Sequence, residues 1–378
     1  MKFIIAPDSF KESMTAKEAG EAIKRGLQKI FKDDEYEVVP MGDGGEGTLQ
    51  SLVDATRGKL EYLDAVGPLG EKIKGHYGIS GDEESAFIEM AVVSGLELVP
   101  REKRNPLITT TYGTGQLIKA ALDKGVKKIL VCIGGSATND GGAGMLQALG
   151  AKLLDINGEE IGYGGGELHK ISKIDISKLD KRIKDISIEV ACDVNNPLLG
   201  DRGASRIFGP QKGADKETVE ILEKNMTHYS EIIEKQLGIR VDGIPGGGAA
   251  GGIGAALMAF LKGKLSPGIE LVVKYTDLEN KVKNADLVIT GEGSIDSQTN
   301  FGKTPIGVAK VGKKYGVPVI AFAGRIGDGI ETLYENGIDS VIGILREAST
   351  IEKALEQGEK NLEAAAENVG RIIRTIKN

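Results

Sequence analysis

A segment rich in glycine and oxygen-bearing side chains follows a short apolar run at residues 129–133, which its β-branched composition predicts to be a buried strand. Gly134 and Gly135 end the run, and three further glycines lead into a predicted helix at residues 145–149. Because backbone N–H groups at a helix start favour phosphate or carboxylate, we expect an anion site here. Four side chains of the segment could also hold a metal ion or orient a hydroxyl: Ser136, Thr138, Asn139 and Asp140. The alternative is a tight turn in which Asn139 or Asp140 caps the helix.

A second polar cluster, Asp8, Ser9 and Lys11, follows the strand predicted at residues 2–6. In open α/β folds, ligands bind at the edge where the strands end, so these side chains are candidates for substrate or phosphate binding. The alternative is a turn followed by a helix cap, with Thr15 opening a capping box. The turn and helix cap explain the presence of Lys11 less well than ligand binding does.

Residues 42–47 read G-D-G-G-E-G between a predicted strand and a predicted helix, which matches the dinucleotide fingerprint G-x-G-x-x-G. Asp43 and Glu46 count against that match, because they would place negative charge beside a pyrophosphate. The same carboxylates suit Mg²⁺, which takes one or two carboxylates together with substrate phosphates. Solvated acids at a helix start are the alternative.

Two further carboxylates are candidates for the general base. Asp193 follows a strand predicted at residues 186–192, and an Asx-turn before Asn196 is the alternative interpretation. Asp296 lies in the segment 291–299, which we expect to be a loop after a strand at residues 286–290. Glu292 in the same loop could bind metal or accept a proton.

The start of the next predicted helix resembles a phosphate-binding loop. Lys303 and Thr304 follow Gly302, but Ser297 stands where a Walker motif needs its first glycine, so that motif is absent. Lys303 and Thr304 at a helix N-terminus remain suitable for phosphate, together with Gly291 and Gly293 of the preceding loop. A solvated lysine is the alternative for Lys303.

The elements that must position these residues suggest two domains. Strands alternate with helices at both chain ends, whereas short segments separated by turns at residues 60–90 predict an antiparallel meander. We therefore expect a doubly wound Rossmann/flavodoxin-like α/β domain from residues 1–60 and 280–378. Residues 61–279 would form an inserted domain with a mixed sheet, and the active site would lie in the cleft between the two. Five parallel strands are predicted for the doubly wound domain: residues 2–6, 37–41, 286–290, 318–323 and 340–344.

The composition excludes several functions. The net charge of −7 predicts no basic surface for nucleic acid, and no run approaches the roughly 18 apolar residues that would span a membrane. The start of the chain does not match a signal peptide, and Cys132 and Cys192 suit a reducing cytoplasm better than a disulfide. Glycine, at 54 of 378 residues, is about twice as frequent as usual and clusters between strands and helices. We expect a cytoplasmic enzyme that handles phosphate.

Seven motifs occur together in order: APDSFKES, PMGDGGEGT, GGSATNDGGAGMLQALGA, CDVNNPLLG, FGPQKGA, PGGGAAGGIGAAL and TGEGSIDSQTNFGKTP. In this combination the chain resembles the bacterial type I glycerate kinase family, from Lys2 to about Gly327. The resemblance implies two different α/β domains with the active site between them. It also implies transfer of the γ-phosphoryl group of ATP to a hydroxyl of D-glycerate, with Mg²⁺.

Under that interpretation the candidate residues take roles. Lys11 and the loop 134–144 would bind anions, because glycerate carries a carboxylate besides the phosphates of ATP. Asp193 or Asp296 would be the base, so that Lys11 and these two form the catalytic candidates. The metal would be held by Asp43, Glu46 or Glu292.

Two other functions stay open at this stage. An NAD-dependent dehydrogenase of a small hydroxy acid would use the segment 42–47, and a non-catalytic sugar-acid sensor would bind glycerate without turnover. The sequence does not decide between 2- and 3-phosphoglycerate as product. It also leaves open which loop binds ATP, the oligomeric state and the regulation.

Overall fold

The computed structural model describes residues 1–377, with thirteen strands and fourteen α-helices in that range. The strands are β1 Lys2–Ile5, β2 Glu35–Val38, β3 Lys59–Val66, β4 Lys72–Ile79, β5 Ser85–Glu89, β6 Lys128–Cys132, β7 Lys152–Leu154, β8 Lys173–Asp175, β9 Ser187–Ala191, β10 Lys264–Ser266, β11 Leu287–Ile295, β12 Val319–Ile326 and β13 Ser340–Gly343. The helices are α1 Ala16–Gln28, α2 Thr48–Ala55, α3 Ala91–Ser94, α4 Tyr112–Asp123, α5 Ala143–Ala148, α6 Ala204–Phe208, α7 Lys216–Leu237, α8 Ala249–Leu261, α9 Gly268–Tyr275, α10 Leu278–Val282, α11 Thr304–Tyr315, α12 Glu331–Glu335, α13 Ile351–Glu356 and α14 Gly358–Lys377.

The chain divides into two compact units. Unit 1 contains residues 1–43, 50–57 and 267–378, and unit 2 contains residues 44–49 and 58–266. The sequence predicts two domains with boundaries near residues 60 and 280. These domain boundaries stay a prediction. The expected location of the active site likewise stays a prediction.

Unit 1 is built on a five-stranded sheet in the order β13-β12-β11-β1-β2, in which every neighbouring pair is parallel. The five parallel strands predicted from the sequence are thus confirmed. Apolar side chains of the strands pack with those of α1 and α14 in one core. Gly26 of α1 permits a close approach, since a Cβ there would lie 2.3 Å from the backbone oxygen of Glu363. α1 begins with the predicted capping box, in which Thr15 and Glu18 exchange hydrogen bonds.

One local prediction for unit 1 is wrong. Residues 291–295 are not a loop, because β11 continues beside β12 as far as the pair Ile295 and Ile326. The error comes from interpreting glycines as a break, because the sequence does not show the neighbouring strand. Near the end of the chain, α13 and α14 are separate helices with Gln357 between them.

Unit 2 contains a six-stranded mixed sheet in the order β10-β9-β6-β5-β4-β3. Strands β3, β4 and β5 pair antiparallel, which confirms the predicted meander, and β5, β6, β9 and β10 pair parallel. A separate hairpin is formed by β7 and β8. Asp215 caps the start of helix α7, and Gly238, with φ 69°, ends it. No helix among residues 1–377 is long and apolar enough to cross a membrane.

Candidate active site

The carboxyl edge of the unit 1 sheet collects polar side chains from two neighbouring strands and a helix start. Asp8 follows β1, and its carboxylate accepts hydrogen bonds from the backbone N–H of Ser9 at 2.6 Å and from Thr304 Oγ1 at 2.5 Å. Thr304 is the first residue of α11 and is fully buried. The sequence placed these three residues in two separate motifs, and parallel pairing of β1 with β11 brings them together.

Glu292 lies within β11 at the same edge and is buried. Its Oε1 accepts a hydrogen bond from Thr299 Oγ1 at 2.8 Å, and its Oε2 lies 3.5 Å from Lys303 Nζ. Lys303 is the N-cap residue of α11 and is partly exposed. The ammonium group at this helix start therefore lies next to a buried carboxylate.

Both carboxyl groups have raised pKa values. Burial, together with the negative charge of Asp43, raises the pKa of Asp8 to about 6, although bonds from Thr304 and Ser9 act the other way. Burial also raises the pKa of Glu292 to about 7, with Lys303 and Thr299 opposing this shift and the charge of Asp8 adding to it. The groups around this edge therefore do not fully compensate the negative charge of the two carboxylates.

The three predicted metal ligands fall in different surroundings. Glu292 is buried, Asp43 is half-buried at the end of the first segment of unit 1, and Glu46 is exposed in the segment 44–49 of unit 2. No group of three or more His, Cys, Asp or Glu side chains that could hold a metal occurs in the described part of the chain. A metal bound by one or two carboxylates and substrate oxygens remains compatible with this arrangement.

The remaining unit 1 candidates have structural contacts of their own. Asp296 accepts from the backbone N–H of Gln298 at 2.8 Å and caps a 3₁₀ turn. Lys11 is exposed, and a Cβ on Gly293 would lie 3.4 Å from the Lys11 backbone nitrogen. Gly291 is required by packing, because a Cβ there would lie 2.6 Å from a backbone oxygen of β12.

In unit 2, the predicted anion loop 134–144 contains a buried carboxylate that fills the helix start. Asp140 is buried and accepts from the backbone N–H groups of Gly142 and Gly144 and from the N–H and Oγ1 of Thr111. Burial raises its pKa, and these four bonds oppose the shift. The helix-capping alternative therefore describes Asp140. Helix α5 offers fewer N–H groups to an anion than the sequence suggested, since Thr111 Oγ1 also accepts from Met145 N–H.

Two threonines at the start of α4, Thr111 and Thr114, do not cap that helix with their side chains. The Thr111 hydroxyl is bonded within the loop 134–144, and Thr114 Oγ1 pairs with Ser94 Oγ at 3.0 Å. These two hydroxyl groups therefore bond to buried groups that are distant in the sequence and do not cap the helix.

The other side of the loop 134–144 is held by a lysine that sequence reasoning missed. Lys212 lies in the 3₁₀ turn Pro210–Lys212, and its Nζ donates to Ser136 Oγ at 2.9 Å and to the Thr138 backbone oxygen at 2.7 Å. It is the one fully buried lysine among the side chains that the structure describes. The only available signal was its place in the motif FGPQKGA, between proline and glycine.

Part of the loop is accessible and part is buried. Gly134 and Gly135 are exposed, whereas Ser136, Thr138 and Asn139 are buried. Asn139 Nδ2 donates to Ser205 Oγ, while Thr138 Oγ1 and Asn139 Oδ1 are buried without a partner in the described structure. Asp193, the other unit 2 candidate, is exposed directly after β9 and Cys192.

Comparisons with known proteins identify the family of the chain. A family model described as "Glycerate kinase family" matches residues 3–374. The chain belongs to the glycerate kinase family. Its curated relatives include a glycerate kinase of Halalkalibacterium halodurans, 55% identical over 98% of this chain and 97% of the relative. A glycerate 2-kinase of Escherichia coli is 54% identical over 99% of this chain and 98% of the relative.

The fold of this glycerate kinase family member is also seen in a solved structure. A crystal structure assigned as glycerate kinase 2 of Salmonella typhimurium matches with a TM-score of 0.93 and 50% identity, covering 100% of this chain and 99% of that one. The predicted family, the α/β fold class and the class of enzyme, an ATP-dependent kinase acting on an alcohol group, are thereby confirmed. The dehydrogenase and sensor alternatives find no support.

Proposed function

We propose that this chain transfers the γ-phosphoryl group of ATP to a hydroxyl of D-glycerate, producing phosphoglycerate and ADP. The observation that carries the proposal is the unit 1 edge, where the half-buried carboxyl group of Asp8 and the buried one of Glu292 lie beside the start of α11. Phosphoryl transfer needs little covalent chemistry from the protein, but it needs positioned charges around the phosphates. Asp8, Glu292 and Lys303 supply charges of both signs at one sheet edge.

The phosphates of ATP would bind at the start of α11. The helix has twelve residues, and its first N–H groups together with the Lys303 ammonium attract an anion. Gly291, Gly293 and Ser9 line the neighbouring strand ends and are our further candidates for phosphate contacts. Lys11 would add a second cation.

The carboxyl groups of unit 1 fit Mg²⁺. Burial raises the pKa values of Asp8 and Glu292, with the charge of Asp43 adding to the shift for Asp8 and that of Asp8 for Glu292, and a divalent cation would relieve these effects. We therefore assign Glu292 and Asp43 as metal carboxylates, with Asp8 beside them and Glu46 as a further candidate. When bound, Mg²⁺ would neutralise the charge that develops on the phosphate oxygens.

Glycerate introduces a second anionic group, its own carboxylate, so a second anion site is needed. The loop 134–144 is our candidate, through the exposed Gly134 and Gly135 and the buried Ser136 that follows them. Thr138 and Asn139 would support the loop from the buried side. Which of the two sites receives the carboxylate is decided by the binding measurements described below.

In the reaction, a hydroxyl oxygen of glycerate attacks the γ-phosphorus, and the bond from that phosphorus to the bridging oxygen of ADP breaks. The hydroxyl proton passes to a carboxylate, for which Asp193 and Asp296 are both candidates. Asp193 is exposed, and Asp296 is half-buried with one oxygen occupied by Gln298. A positioned base of this kind contributes about 10²-fold or more to the rate.

The test is ³¹P NMR of the purified chain with ATP, Mg²⁺ and D-glycerate, with L-glycerate and no-glycerate samples as controls. We expect ADP and a new phosphomonoester signal only with D-glycerate, and the phosphorus–proton coupling identifies the phosphorylated hydroxyl. Intact ATP in the presence of folded protein and D-glycerate would contradict the proposal. The expectations of a cytoplasmic location and of no nucleic-acid partner stay predictions, and the oligomeric state is open.

A further inference from the structure

A buried lysine side chain in unit 2 has no role in the reaction described so far. The Lys212 side chain is 1% exposed, and both hydrogen-bond acceptors of its Nζ, Ser136 Oγ and the Thr138 oxygen, belong to the loop 134–144. Burying an ammonium group costs free energy unless another interaction compensates it. Both of these acceptors are neutral, so neither supplies a negative charge to the ammonium group.

The backbone around Lys212 prevents the side chain from leaving this position easily. The next residue, Gly213, has φ 98°, and a Cβ there would lie 2.2 Å from the backbone oxygen of Arg104. The turn is thus packed against a neighbouring segment through its backbone. The ammonium group is held under the loop by the fold around it, as well as by its own two bonds.

The charges near Lys212 leave its positive charge poorly compensated. Burial lowers the pKa of Lys212 to about 7, and the charge of Asp140 opposes this shift. Asp140 is itself occupied by donors from Thr111, Gly142 and Gly144. An anion bound at the loop would supply the missing negative charge.

The hydrogen bond from Lys212 to Ser136 also leaves the Ser136 hydroxyl hydrogen available for a ligand. Because Ser136 Oγ accepts a hydrogen bond from Nζ, its own hydroxyl hydrogen can be donated elsewhere. Ser136 follows the exposed Gly134 and Gly135, so that donor lies next to the accessible part of the loop. The lysine therefore acts on this part of the loop both by its charge and by orienting a hydroxyl.

We propose that Lys212 is the positioning residue of the loop 134–144, which fixes Ser136 and Thr138 for an anionic group of the substrate and supplies the positive charge behind it. The inference rests on the proposed function, because the anionic group is then a phosphate of ATP or the carboxylate of D-glycerate. Both share the chemistry of a small oxyanion, and the experiment separates them.

The experiment compares wild type, Lys212→Met and the control Lys235→Met, an exposed lysine of α7. Binding of inorganic phosphate and of D-glycerate is measured separately by isothermal titration calorimetry, and KM for ATP and for D-glycerate is measured with kcat. We expect Lys212→Met to weaken one of the two anions roughly tenfold and to raise the matching KM, with the other changed less than about twofold. Lys235→Met should bind both like wild type.

The outcomes separate a positioning role from a structural one. Equal weakening of both anions together with a large fall in Tm would overturn the proposal, as would wild-type binding of both, or a wild type that binds neither. If Lys212→Met does not fold, Ser136→Ala decides, because it removes one acceptor and keeps the lysine. It should weaken the same anion about threefold, and unchanged binding would refute the inference. Anion binding that depends on Lys212 without any ADP formation would instead reject only the proposed function.

Discussion

The Mg²⁺ site that we propose on the unit 1 edge should bind the ion with an affinity that depends strongly on pH, and Glu292→Gln should remove most of that dependence. The pKa values of Glu292 and Asp8 are raised, so both groups take up protons as the pH falls through the neutral range. A protonated carboxyl is a poor metal ligand, so Mg²⁺ affinity must fall in the same direction. The glutamine keeps the size of the side chain and an oxygen for Thr299.

The expected magnitude follows from the two pKa values. With a pKa of about 7, the charged fraction of Glu292 falls about tenfold between pH 8 and pH 6. With a pKa of about 6, the charged fraction of Asp8 falls about twofold over that interval. If the ion needs both charges, wild type should lose about twentyfold in apparent Mg²⁺ affinity, and Glu292→Gln only about twofold.

The assay measures the rate of ADP formation against free Mg²⁺ at pH 6, 7 and 8, with saturating D-glycerate. Because ATP itself titrates in this range, the result is the difference between variants measured under identical conditions. Glu279→Gln is the matched control, since Glu279 pairs with Lys314 on the surface of the same unit. It should retain the steep profile of wild type. Equal steepness in Glu292→Gln and Glu279→Gln would refute the assignment of Glu292 to the metal.

Four further substitutions test the loop and the base. Thr111→Val should lower the free energy of unfolding by about 2–3 kcal/mol in urea titrations, because a buried carboxylate and a backbone N–H both lose a partner. Gly251→Ala should cost at least about 2 kcal/mol by the same measurement, since φ is 71° there and a Cβ would lie 1.9 Å from the Thr138 oxygen. Of Asp193→Asn and Asp296→Asn, at least one should lower kcat by about 10²-fold or more in the ADP assay.

Each of these substitutions has a matched control. Thr227→Val removes a hydroxyl that only donates along α7, and Gly243→Ala adds a methyl group where no atom lies within 4 Å, so both should leave stability nearly unchanged. Asp201→Asn changes an exposed carboxylate and should keep kcat. Stability losses below about 0.5 kcal/mol for the first two substitutions would contradict the packing described here. Near-normal turnover in both aspartate variants would show that the base is elsewhere.

The repeating parts of the fold could be predicted because their signals are local. The five parallel strands of unit 1 are short β-branched runs, and α7 has its own cap residues, Asp215 and Gly238. The extension of β11 through residues 291–295 could not be predicted, because glycine-rich sequence forms a strand only where a partner such as β12 is present. The short strands β7 and β8 could not be predicted either, because each forms only where the other is present as its partner.

The site residues could be predicted where polar side chains follow directly after a strand. They could be predicted less well where the site depends on contacts between distant segments. Asp8 and Thr304 are separated by 296 residues, yet each was chosen from its own motif, and the sheet joins them. Lys212 was missed because an isolated lysine in a turn normally lies in solvent, and its burial depends on packing 76 residues away at Ser136. The occupation of the α5 start by Asp140 also depends on a tertiary partner, Thr111.

Carboxylates in ion pairs of the fold and carboxyl groups at the unit 1 edge have pKa shifts of opposite direction. Asp64, between Lys72 and Lys74, and Asp180, beside Arg182, have lowered pKa values, as expected for ion pairs formed within the protein. At the unit 1 edge the shift of the carboxyl groups is opposite, so the protein leaves their negative charge uncompensated. The positive charge of Lys212 is likewise not fully compensated, because burial lowers the pKa of its ammonium group.

Asp140 shows why geometry must accompany such a shift. Its pKa is also raised, but its two oxygens accept four hydrogen bonds from Thr111, Gly142 and Gly144, so no ligand is needed to explain its burial. Glu292 differs, because its neighbours include the helix start and a partly exposed lysine where a ligand can enter. A cation at that edge and an anion at the loop 134–144 are the two opposite charges that a nucleotide-dependent kinase of a carboxylic acid has to accommodate. The charges that the protein itself does not compensate thus have the signs that the proposed substrates would neutralise.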